Sequence, residues 1–191
     1  SRHPDASPFY SAASMRTRAD TAPLTRDMFF LVGHCNLRIA AMGFDNRKPT
    51  GDEMEAMKDL LREAMEHGAI GLSSGLIYTP STYADTEELI ELCKVMKPYR
   101  GIYTTHMRNE SDHVVDSVKE AITVAESAGV PLVISHHKVC GKPHWGQSSE
   151  TLALVHAAID RGVHITMDQY PYTASMTSLN VCVPPWYFDR G

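Results

Sequence analysis

The sequence predicts an α/β fold built on a parallel sheet and closed in the manner of a TIM-like barrel. Three observations carry that expectation. Short apolar runs alternate with amphipathic helical stretches, the ends of those runs recur every 30 to 39 residues, and neither GxGxxG nor GxxxxGK[ST] occurs. The first two describe repeated βα units, and the third removes the phosphate-cradling loops of doubly wound nucleotide binders. An eight-unit barrel takes around 250 residues. Five strands and four helical returns in 191 residues therefore leave part of the barrel unaccounted for.

The elements follow in order. The first strand is Phe29, Phe30, Leu31 and Val32, ending near His34. A helix over 52–67 sets Met54, Met57, Leu60, Leu61, Ala64 and Met65 on one face and stops at Gly68. The second strand, 69–72, ends near Ser73, and a helix over 86–96 follows with Glu87 and Glu88 in its first turn and Lys94 near its end, as the helix dipole favours. The strand 101–104 ends near His106 before a helix over 112–128, and 130–134 ends near His136 before a helix over 149–161. The last strand, 163–167, ends at Asp168. These runs are short and rich in β-branched residues, as strands covered on both faces should be. Residues 1–27 read as an irregular polar segment, 28–175 as the partial barrel, and 176–191, with Pro184, Pro185, Trp186, Tyr187 and Phe188, as a loop or the start of an insertion.

Composition narrows the function. A formal charge of −5 without any basic run argues against nucleic acid. The longest apolar run, 28–33, is far short of a membrane span, and no secretory leader is seen. Four widely spaced cysteines without a CxxC pair suggest free thiols and a cytoplasmic setting. The chain does not begin with Met, so a processed chain or a piece is expected.

In barrel enzymes the working side chains sit where strands end. Here His106 and His136 occupy equivalent ends of adjacent strands, and neutral imidazole is the commonest metal ligand. One such histidine would merely satisfy a polar strand terminus; two in register point to a metal. Asp168 is a candidate base or ligand, and Tyr170, held beside Pro171, a candidate for orienting a polar substrate group. Other patterns are weaker. Gly71-Leu72-Ser73-Ser74-Gly75 matches a nucleophile elbow, but the next helix begins too late, so a tight turn is the preferred reading. His136, His137, Cys140 and His144 cluster without the spacing of a structural zinc module, and Cys35 beside His34 is read as a small buried hydrophobe.

Four motifs in series then resemble the D-aminoacylases, the N-acyl-D-amino-acid deacylases of the amidohydrolase superfamily. They are 68–75 (GAIGLSSG), 101–108 (GIYTTHMR), 133–139 (VISHHKV) and 168–172 (DQYPY), with Val32, Gly33, His34, Leu37 and Arg38 fitting upstream. The resemblance implies a distorted (βα)8 barrel of the metal-dependent hydrolase type, of which this chain covers about strands three to seven. It also implies Zn2+ held by His106 and His136. Lys138 and Tyr170 would bind the substrate α-carboxylate or position the scissile amide, and Ile77 and Tyr78 would line the side-chain pocket. The family's first-strand His-x-His, its Asn-Cys-Gly ligand segment and its catalytic aspartate are absent from these 191 residues, so no catalytic residue is assigned within the chain. Cys35 is not given the ligand role. Met176 stands where a carboxylate-binding serine often follows, with Ser175 or Thr177 as substitutes.

The implied activity is zinc-dependent hydrolysis of N-acyl-D-amino acids to a D-amino acid and a carboxylic acid, with the remaining barrel supplied by the same polypeptide. Two rivals stand beside it: another amidohydrolase acting on a linear or cyclic amide, and a non-catalytic partial barrel. A serine hydrolase using Ser73 ranks behind both.

Overall fold

The computed structural model describes residues 12–21, 23, 25–184 and 187. Five strands, β1 (Val32–Gly33), β2 (Gly71–Gly75), β3 (Ile102–His106), β4 (Leu132–Ile134) and β5 (Ile165–Met167), form one sheet in the order β1-β2-β3-β4-β5. Every pairing is parallel. A doubly wound sheet reverses its order at a switch point. This one advances one strand at a time in one direction, which is the arc of a (βα) barrel.

Six α-helices are seen among the described residues, and the last five lie on the returns between strands. The six are α1 (Ala12–Thr21), α2 (His34–Met42), α3 (Gly51–Glu66), α4 (Thr86–Met96), α5 (Val114–Ala128) and α6 (Ser148–Asp160). The start of α3 is fixed by a capping box, in which Thr50 accepts from the Glu53 amide and the Glu53 carboxylate accepts from the Thr50 amide. Asp85 caps α4 by accepting from the Glu88 amide. At the end of α5, Gly129 takes φ +68°, the left-handed conformation that closes the helix.

The core lies between these helices and the sheet. Met57 and Leu61 of α3, Leu89, Leu92 and Met96 of α4, and Val118 and Ala125 of α5 pack with Leu72, Tyr103, Leu132 and Ile134 from the strands. All are 1% exposed or less. Leu60, read from sequence as part of the α3 stripe, is 39% exposed. It precedes Leu61 by one residue, about 100° around the helix, and only one of the two can face the sheet.

Four local expectations change. The Gly71 to Gly75 stretch is not a turn but strand β2 itself. Its polar residues are tolerated there because the buried hydroxyls satisfy one another: Ser74 Oγ donates to Thr105 Oγ1 at 2.8 Å and lies 2.8 Å from Tyr103 Oη. Strand β3 likewise runs on to His106. Helix α2 was not predicted, and His34 opens it instead of ending a strand. Helix α1 interrupts the segment read as irregular; it carries an Arg16–Asp20 pair one turn apart and no apolar stripe to announce it. Residues 1–11, and Pro185, Trp186 and Phe188 of the terminal stretch, lie outside the described residues. Among the described residues no helix is long and apolar enough to cross a membrane.

Candidate metal centre and active site

Parallel pairing sets the site. Gly75 stands opposite His106, and Thr105 opposite Ile134, so β2, β3 and β4 deliver their C-terminal ends to one patch. His136 follows β4 with φ +41°, a left-handed conformation that a β-carbon normally disfavours. It is held there by Asp168, whose carboxylate accepts the His136 amide at 2.7 Å and whose carbonyl accepts the His137 amide at 2.9 Å. That is what Asp168 does in this structure. It anchors a strained turn.

The turn aims the His136 ring at His106. His106 Nδ1 and His136 Nε2 are 2.9 Å apart, with ring centroids at 4.6 Å in an edge arrangement. Glu110 joins them: His106, Glu110 and His136 each offer a donor atom, all within 4.8 Å of one another. Glu110 reaches the pair from the loop after β3 and meets His136 on the far side of its ring, Oε1 lying 3.1 Å from Nδ1. Burial first, and then His136 and Lys138, push the His106 pKa down against the opposing pull of Glu110, which favours the neutral imidazole that a metal needs.

This donor set fits a metal ion. His106 Nε2 is buried without a hydrogen-bond partner among the described residues. Nδ1 faces only another imidazole nitrogen. Two nitrogens bound to one tetrahedral zinc at roughly 2.0–2.1 Å stand roughly 3.3 Å apart, so the pair has only to open by a few tenths of an ångström.

An open cavity of about 700 Å³ adjoins the pair, lined among others by Ile77, Tyr78, His106, Glu110, His136, Lys138 and Tyr170. All six residues picked from sequence therefore share one hollow. The Lys138 ammonium donates to Glu110 at 2.7 Å and to the His136 carbonyl at 2.9 Å, and it lies 5.4 Å from the centre of the Tyr170 ring. Tyr78 packs 5.4 Å from the His106 ring, and its hydroxyl lies 2.9 Å from Thr177 Oγ1. A β-carbon on Gly75 would fall 2.8 Å from the Tyr78 ring, so the glycine makes room for it. Met176 is 97% exposed, and Ser175 and Thr177 beside it both line the cavity.

The weaker sequence patterns disperse. Ser73 Oγ donates to the Val32 carbonyl at 3.3 Å from within β2, and no α-helix begins until Thr86, so no nucleophile elbow forms. His137 turns toward Thr151 at 3.0 Å and His144 toward Asp112 at 2.9 Å, away from Cys140 on the cavity wall. The Cys35 thiol donates to Ser81 at 3.1 Å. Glu110 was missed because a lone carboxylate four residues after a histidine in a loop carries no periodic signal. Arg108 was missed as an organiser: it donates to Glu120 and to the Thr82 and Ala84 carbonyls, tying the loop that carries Tyr78 to the end of β3.

A one-directional parallel arc with polar and titratable side chains gathered at its C-terminal strand ends is the layout of (βα) barrel enzymes. The chain has homologues among the D-aminoacylases and N-acyl-D-amino-acid deacylases of the amidohydrolase superfamily. It is 47% identical over 149 residues to the D-aminoacylase of Alcaligenes xylosoxydans xylosoxydans, covering 78% of this chain and 31% of that protein. It is 42% identical over 149 residues to an N-acyl-D-glutamate deacylase from the same organism, covering 78% and 30%. Among solved structures, the N-acyl-D-glutamate deacylase of Bordetella bronchiseptica, complexed with zinc and a phosphonate mimic of the tetrahedral intermediate, superposes with a TM-score of 0.81 at 39% identity, over 85% of this chain and 34% of that one. No protein-family model matches the chain. The chain thus spans about a third of the length of the relatives it matches.

Proposed function

We propose that this chain is part of a zinc-dependent amidohydrolase that cleaves N-acyl-D-amino acids into a D-amino acid and a carboxylic acid. The observation that carries the reading is the His106 and His136 nitrogen pair at 2.9 Å, on the wall of the cavity that Lys138 and Tyr170 also line. Zinc, when bound, supplies electrophilic polarisation of an amide carbonyl and of water.

His106 and His136 hold the ion. Lys138 presents the positive charge suited to a substrate α-carboxylate, and the face of Tyr170 fixes the ammonium's position. Ile77 and Tyr78 form the wall against the substrate side chain. The proton acceptor belongs to a part of the polypeptide outside these 191 residues, as do the strands that complete the (βα)8 barrel. The partner is a small N-acyl amino acid, not nucleic acid or a membrane. Cys35, Cys93, Cys140 and Cys182 are all free, which suits a reducing compartment, and we place the protein in the cytoplasm.

The test uses the complete polypeptide. Elemental analysis should find zinc, and hydrolysis should favour N-acyl-D-amino acids over their L enantiomers. His106→Ala should abolish zinc content and hydrolysis together. Retention of both by that variant would overturn the assignment.

A further inference from the structure

We infer that Glu110 is a positioning residue that decides which nitrogen of His136 is free to bind the metal. The inference rests on the zinc reading above. A neutral imidazole carries one proton, and its two nitrogens point in different directions. In His136, Nε2 faces His106, while Nδ1 faces two competing groups: Glu110 Oε1 at 3.1 Å and Lys138 Nζ at 2.9 Å.

The two neighbours ask for opposite tautomers. A carboxylate only accepts, so Glu110 draws the proton to Nδ1 and leaves the Nε2 lone pair bare toward His106. An ammonium only donates, so Lys138 acting alone would place its own proton against Nδ1 and drive the imidazole proton to Nε2, where it blocks coordination. Glu110 counters Lys138 by engaging both groups, leaving the ammonium only its third proton to aim at Nδ1, 2.9 Å away. Its carboxylate accepts from Lys138 at 2.7 Å, and a second Lys138 proton goes to the His136 carbonyl at 2.9 Å. Glu110 itself is well placed to stay put, since its side chain is 10% exposed and its carbonyl accepts the Cys140 amide at 2.6 Å. The arrangement is a carboxylate holding the distal N–H of a metal-binding histidine, and loss of such a partner costs about 10- to 100-fold in metal affinity.

The experiment measures zinc affinity of the complete polypeptide by competition with a chelator of known affinity, alongside the thermal midpoint of each apo variant. Glu110→Ala should weaken zinc binding about 10- to 100-fold. Glu110→Gln, whose amide oxygen still accepts from Nδ1, should recover much of the loss. Most tellingly, Lys138→Met added to Glu110→Ala should regain affinity, because removing the competing donor frees the tautomer. A role in folding alone predicts no such recovery. Unchanged affinity in Glu110→Ala, or a double variant no better than the single, would overturn the inference. So would a loss in Glu110→Gln as complete as in His106→Ala, which would make Glu110 a ligand. If His106→Ala itself keeps zinc, the metal reading fails first, and the two failures are thereby told apart.

Discussion

Glu88 is the place where removal of one side chain should harm this protein most. It is 3% exposed on α4 and stands between two residues of α2 that are fully buried. Arg38 donates to it at 2.5 Å, and His34 Nε2 lies 2.8 Å from its other oxygen. His34 Nδ1 in turn lies 2.6 Å from Ser81 Oγ, so the network also holds the loop that leads from Tyr78 to α4. Glu88→Ala leaves the Arg38 guanidinium buried without its counter-charge, a situation that costs about 3–5 kcal/mol. Replacing both ends, as Arg38→Met with Glu88→Leu, removes the stranded charge and should cost less than Glu88→Ala alone. Urea unfolding near pH 7 reads both, as a fall in midpoint with unchanged slope. Acidity supplies a second check. Burial pushes the Glu88 carboxyl up, but the hydrogen bonds and charges of His34 and Arg38 together outweigh it and hold the carboxyl below its usual value. The stability it contributes is therefore complete above the unfolded value of about 4.3 and is lost as pH falls through the lower folded value. The gap between wild type and Glu88→Gln should accordingly close under acid. A cost below about 1 kcal/mol for Glu88→Ala, or a double variant less stable than the single, would refute the account.

Two further outcomes can be checked directly. Gly129→Ala must hold φ +68° and set its new β-carbon 2.9 Å from Lys97 Nζ, so a loss of about 1–2 kcal/mol is expected in the same unfolding assay. Ser73→Ala removes only a bond to the Val32 carbonyl; hydrolysis should persist in the complete polypeptide, and an active-site serine reagent should fail to label Ser73 in the wild type.

Much of the architecture was legible because it is written locally. The alternation of apolar runs with amphipathic stretches marked four of the strands and four of the helices, touching β1 only at Val32, and Gly68, Gly129 and Gly162 marked three of the helix ends. The strand limits were less legible. Ser73, Ser74 and Thr105 look like polar strand ends, yet they pair across the sheet with Thr104, Thr105 and Ile134, and the hydroxyls of Ser74, Tyr103 and Thr105 satisfy one another. Helix α2 escaped because its buried face includes His34 and Arg38, residues that a hydrophobic pattern does not count.

The candidate site divides the same way. His106, His136, Lys138 and Tyr170 could be picked from sequence, since each lies at or just past a strand end and the βα period puts such ends on one rim. That period also fixed the parallel sheet, because helical returns of this length can join only parallel neighbours. What the chain could not disclose was which nitrogen faces which group. Glu110, Asp168 and Arg108 act through contacts between segments 12 to 32 residues apart, Glu110 on His136, Asp168 on the His136 amide, and Arg108 on Glu120 and the Tyr78 loop. Such contacts depend on the angle at which each backbone leaves its strand, above all on the left-handed turn at His136. Residue order alone sets the βα repeat and puts imidazoles at adjacent strand ends; how those side chains point depends on packing, because hydrogen bonds are directional while hydrophobic periodicity is not.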